Sequence, residues 1–123
     1  MPSEDDPEEQ EKMEAAAKQL GMSVEEYQLG MRSRVWLMEE LDKSKVTAGK
    51  AETVLIERDG NNPPKMMEIK ITQAGKDLGK EELSKELVAG LKKASEDSQK
   101  VRQDAQKGMM QFINDEMKKM QGK

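Results

Sequence analysis

The sequence predicts an α+β protein: an N-terminal helix, a short antiparallel β-hairpin or three-stranded sheet, and a long C-terminal helix. Three observations carry this. Ser23-Val24-Glu25-Glu26 is a capping box, and the helical periodicity it opens runs to about Lys43. Two β-rich stretches, 53–58 and 65–72, flank the turn Asp59-Gly60-Asn61-Asn62-Pro63-Pro64. From Lys80 onward, apolar and small residues recur at steps of four and three.

Residues 1–8 read as a disordered acidic lead, with Pro2 and Pro7 and too little apolar material to pack. A short helix follows over about 9–20 and ends at Gly21, a residue suited to a left-handed C-cap. In the next helix, Val24, Tyr27, Met31, Met38 and Leu41 form the expected inward stripe, interrupted by Arg34. Residues 45–49 are a connector or a short strand. In the second strand, Met67, Ile69 and Ile71 face one way and Met66, Glu68 and Lys70 the other, which gives a hairpin with one buried face. Residues 73–78 suit one helical turn closed by Gly79. In the last helix, Leu87, Leu91, Ala94, Ser98, Val101, Ala105 and Phe112 form a heptad-like stripe. Gly108 marks a candidate bend. The expected organisation is a lead (1–8), a helical N-terminal region (9–44) and a hairpin with its long helix (45–123), the last forming one domain with 22–44.

Composition narrows function. Charged residues make up 37% of the chain and the hydrophobic set 34%, so the core is modest. There is no histidine and no cysteine, which removes the usual general base, the thiol nucleophile and the common metal ligands. An enzyme is therefore not expected, nor a cofactor, a metal or a small-molecule substrate. Six acids against one base put −5 in the first twelve residues, so with a net charge of −4 the remainder is close to neutral. No apolar run approaches a membrane span, and the acidic start fits neither a signal nor a transit peptide.

Gly75-Lys76-Asp77-Leu78-Gly79-Lys80-Glu81 has only a superficial likeness to a phosphate loop. Three residues rather than four separate its glycines, and Glu81 stands where the magnesium-binding hydroxyl belongs. Lys93, Asp97, Lys100, Asp104 and Lys107 read as a salt-bridged, solvated helix face. Three aromatics, Tyr27, Trp36 and Phe112, do not make a stacking platform for single strands.

A two-stranded hairpin alone is marginal, and here it must support long amphipathic helices. A second copy is therefore expected, with Met67, Ile69, Ile71, Leu87, Leu91 and Val101 in the dimer interface. The basic residues Arg32, Arg34, Lys65 and Arg102 are the candidates for contact with double-stranded DNA through its backbone. Met109, Met110, Met117 and Met120 are the candidates for an adaptable protein-docking surface.

"KVTAGKAETVLIERDG", "KMMEIKIT" and "LGKEELSKELVAGLKKASEDSQKVRQDAQKGM" together resemble the YbaB/EbfC family of nucleoid-associated proteins. The likeness covers about the last two thirds of the chain. It rests on element order, the "VT-x-G" entry to the hairpin and the "L-x-x-E-L-V-x-x-L-K-x-A" helix. It implies an intertwined homodimer that binds DNA weakly in a bacterial-type setting, the nucleoid or cytoplasm. The run "ITQAGKDLGKEELSKELV" is similar to plastid members, which implies instead a stromal factor that assists thylakoid membrane-protein biogenesis with insertion or targeting proteins. The acidic lead and the entry "LGMSVEEYQLGMRSRVWL" depart from the bacterial pattern.

Overall fold

The structure is a computed structural model and describes residues 6–122. Its fold is α+β, with an N-terminal helix pair, a three-stranded antiparallel sheet and a long C-terminal helix. Residue contacts divide the chain into two compact units. One is built from the residues up to Trp36 together with those from Met109 onward; the other is Leu37–Gly108.

In the first unit, α1 (Pro7–Leu20) starts earlier than expected. Asp6 caps it, its carboxylate accepting from the Glu8 amide at 3.0 Å, and Pro7 sits in the first turn. Proline is preorganised there and lacks only an N–H that would have no helical partner. Asp6-Pro7-Glu8 is thus a helix start rather than part of a lead, and residues 1–5 lie outside the described residues. Gly21, at φ +70°, ends α1, and its N–H reaches the Ala17 and Lys18 carbonyls. The capping box of α2 (Val24–Lys43) is present in both directions: the Glu26 amide donates to Ser23 Oγ at 3.1 Å, and the Ser23 amide donates to Glu26 Oε1 at 3.2 Å.

The inward face of α2 differs from the expected stripe. Leu29 and Ser33 are buried; of the expected stripe, Val24, Tyr27 and Leu41 are half-buried, whereas Met31 and Met38 are 50% and 49% exposed. The helix carries apolar residues on more than one side, so spacing alone does not single out its most buried positions. Ser33 is satisfied by donating to the Gly30 carbonyl at 2.8 Å. Trp36 stacks on Phe112 with ring centroids 6.1 Å apart.

In the second unit, the connector is a strand. The sheet has the order β1 (Val46–Gly49), β2 (Val54–Arg58), β3 (Met67–Ile71). Val46 pairs with Arg58 and Ala48 with Ile56; on the other side of β2, Ile71 pairs with Val54, Ile69 with Ile56 and Met67 with Arg58. Directly paired residues share a face, so all of these side chains point to one side. Val46, Ala48, Ile56 and Ala94 form the core there, with Leu91 and Val101 packed against it. Ala94 belongs to α4 (Lys80–Gln121), which runs through Gly108 as one 42-residue helix, so the candidate bend is not a break. Gly90, Ala94, Ser98 and Ala105 are buried and small, and at Gly90 and Ala94 this lets the helix pack against the sheet. A Cβ at Gly90 would stand 2.8 Å from Ile56 Cδ1.

Between β3 and α4 lies α3 (Gln73–Asp77), capped by Thr72 Oγ1, which accepts from the Gly75 amide at 3.1 Å. Gly79, at φ +87°, makes the turn into α4. The glycine-lysine run is therefore one helix end and the next helix start. Of the expected ladder on α4, only Lys93–Asp97 closes among the described residues, at 3.1 Å.

Candidate interaction surfaces

The apolar face of the sheet is only half covered. The helix α4 lies against β1 and β2, through Ala94, Leu91, Gly90 and Val101. Met67, Ile69 and Ile71 are on that same face but remain 42%, 43% and 37% exposed, and β3 is an edge strand. Three apolar side chains in a row on an open edge are a template for another chain. The other face of the strand is polar: Lys70 reaches Glu57 at 3.4 Å, and Lys45 reaches the same carboxylate at 3.7 Å.

Of the residues expected at a dimer interface, Met67, Ile69 and Ile71 are thus free to serve. Leu91 and Val101 are half-buried and pack against the chain's own core. Leu87 is half-buried.

The turn after β2 is tightly held, and this fixes the start of β3. The Asp59 side chain is buried, and its carboxylate accepts from the backbone amides of Asn61 (2.9 Å), Lys65 (3.1 Å) and Met66 (2.8 Å). Burial alone would push this carboxyl up. The hydrogen bonds from Asn61, Met66 and Lys65 outweigh it and hold the group below its ordinary value. Arg58, also buried, donates to the Asp59 carbonyl at 2.8 Å and to that of Asn61. Its pKa is lowered, by burial first and by nearby Arg102 second. Gly60 donates to Ser44 Oγ at 2.8 Å and sits so close to Val101 that a Cβ would lie 2.6 Å from Val101 Cγ1.

The four basic candidates fall in different units, Arg32 and Arg34 in the first, Lys65 and Arg102 in the second. Arg102 turns inward, donating to the Gly60 carbonyl at 3.0 Å and to Ser98 Oγ at 3.2 Å. Lys65 pairs with Asp42 at 2.9 Å, and this contact, with a further bond from Asn61, lowers the Asp42 pKa. Arg32 pairs with Glu116 at 3.6 Å. Arg34 is exposed and makes no ion pair within 4.0 Å among the described residues.

The methionine candidates separate into two pairs. Met117 and Met120 converge with Met22, Leu29 and Ile113 on an apolar groove of about 370 Å³ within the first unit. Met109 is half-buried and Met110 exposed, and neither lines the groove. The sequence reading missed Met22, Leu29 and Ile113 as groove walls. Among the described residues, no helix is long and apolar enough to cross a membrane.

Searches of protein-family models, curated proteins and solved structures return no match to this chain.

Proposed function

We propose that the chain is a non-enzymatic homodimeric module of the YbaB/EbfC type, whose second copy covers the open half of the sheet and whose business is binding other proteins. The observation that carries this is the exposed row Met67, Ile69 and Ile71, continuous with the buried core of β1 and β2. Full burial of such a side chain is worth about 1.5–3 kcal/mol. These three are already half covered, so each retains about 1 kcal/mol to gain on the same scale. Six such residues across a two-fold suffice to offset a good part of the association cost. The absence of histidine and cysteine supports a role in binding rather than catalysis.

A protein partner is favoured over DNA by the fate of the candidate residues. Met117 and Met120 meet in an apolar groove, a surface that suits an amphipathic or hydrophobic segment. Of the basic candidates, Arg102 is turned inward, donating to the Gly60 carbonyl and to Ser98 Oγ. The plastid-like run at 71–88 points in the same direction, toward stromal insertion or targeting proteins as the partner class. Weak contact with duplex DNA, as in a nucleoid-associated protein, is the second reading. It is favoured by Arg34, Lys100 and Lys107, which make no ion pair within 4.0 Å among the described residues.

Sedimentation velocity tests the self-association. The wild type sediments as a dimer and Ile69→Asp as a folded monomer; a monomeric wild type overturns the proposal. Fluorescence anisotropy with a short duplex at low salt separates the two partner classes. Saturable binding tighter than about 100 μM, the weak end of non-specific affinity, transfers the role to DNA.

A further inference from the structure

Where the β1–β2 turn meets α4, the second unit holds an open surface pocket of about 420 Å³. Its wall is mainly apolar or bare backbone: Gly49, Val54, Ala89 and Gly90. Three lysines line it, Lys50, Lys85 and Lys93, against one acid, Glu86. The lining therefore carries a net +2, in a chain whose overall charge is −4.

The one acid is already engaged, since Glu86 Oε1 accepts from Thr53 Oγ1 at 2.6 Å. Lys85 and Lys93 reach only neighbours on their own helix, Glu82 at 3.5 Å and Asp97 at 3.1 Å. Exposed pairs of that spacing are worth about 0.3–0.5 kcal/mol, so an incoming carboxylate competes with them readily. Lys50 makes no ion pair within 4.0 Å among the described residues. An apolar hollow ringed by available cations asks for a ligand with both characters. Its volume lies within the range of ordinary ligand sites. A phosphodiester backbone would satisfy the lysines and leave the apolar wall unfilled.

We infer that this pocket is a docking site for an acidic peptide segment that places one apolar side chain on Ala89, with its flanking carboxylates on Lys50, Lys85 and Lys93. The inference goes beyond the proposed self-association and depends on neither the open β3 face nor the methionine groove.

The test is a titration of the full-length ¹⁵N-labelled chain, followed by amide chemical shifts, with three probes. They are the acetylated, amidated peptide Asp-Glu-Leu-Leu-Glu-Asp, its counterpart with Gly-Gly at the centre, and a short DNA duplex. The first peptide shifts the amides of Lys50, Val54, Ala89 and Gly90 saturably. The Gly-Gly peptide binds at least several-fold more weakly. The double variant Lys50→Glu/Lys85→Glu weakens the first peptide by roughly tenfold, as removal of complementary charge does. Both lysines are exposed, so this variant keeps the wild-type circular dichroism melt. Three results overturn the inference: no saturable shift with a Kd below about 1 mM, where binding energy is already slight; equal binding of the two peptides; or tighter occupation of the same residues by the duplex. Sedimentation of the same samples reports the dimer separately, so failure of one proposal is distinguishable from failure of the other.

Discussion

Replacing Asp59 with alanine removes the acceptor that gathers the backbone of the β2–β3 turn. Three amides lose their partner at once, those of Asn61, Lys65 and Met66, at 2.9, 3.1 and 2.8 Å from the carboxylate. A hydrogen bond to a charged group is worth about 1.5–3 kcal/mol. Lys65 and Met66 are exposed, so water replaces part of the loss there. The expected cost is about 2–4 kcal/mol rather than the full sum. Urea unfolding followed by circular dichroism measures it. The pH dependence has a defined sign. The folded Asp59 carboxyl lies below its ordinary value, so its contribution is present above the unfolded pKa and disappears as pH falls through the folded one. The gap between the wild type and Asp59→Ala is therefore full at neutral pH and closes under strong acid. A cost under about 0.5 kcal/mol, the level of an ordinary surface change, refutes the account of the turn, and so does a gap that stays constant into strong acid.

Three further outcomes follow from the same structure. Ile56→Ala, at the centre of the core under α4, costs about 2–5 kcal/mol in urea unfolding. Arg102→Ala lowers thermal stability, because the side chain ties Gly60 and Ser98 together, and leaves low-salt anisotropy with a duplex unchanged; weakened DNA binding without loss of stability would return Arg102 to the nucleic-acid surface. Met117→Glu puts a charge into the apolar groove and reduces binding of a fluorescent hydrophobic probe such as ANS, with the dimer unchanged in sedimentation.

The elements that were legible in the sequence are those fixed by local chemistry. Ser23 and Glu26 announced a helix start that is bonded in both directions. Gly21 and Gly79 announced left-handed turns. The stripe from Leu87 to Phe112 was legible because its small members, Ala94, Ser98 and Ala105, have to face something close. What was not legible depends on which of several apolar faces finds a partner. Met31 and Met38 have the right spacing on α2, yet Leu29 and Ser33 are the buried pair. The surroundings of the basic candidates were hidden for a related reason. Composition marks Arg102 and Lys65 as cations, but only three-dimensional placement shows the Gly60 carbonyl and Asp42 beside them. The 46–49 strand was ambiguous because four residues carry too little pattern to separate a strand from a connector.

The central claim is that a second copy lies on the open face of β3. A mixed sample of ¹³C-methyl-labelled and unlabelled chains, recorded with isotope-filtered NOE spectroscopy, tests it at the residues concerned. The account predicts intermolecular contacts to the methyls of Met67, Ile69 and Ile71. A dimer whose intermolecular contacts lie elsewhere, or a chain that shows none and sediments as a monomer, would contradict it.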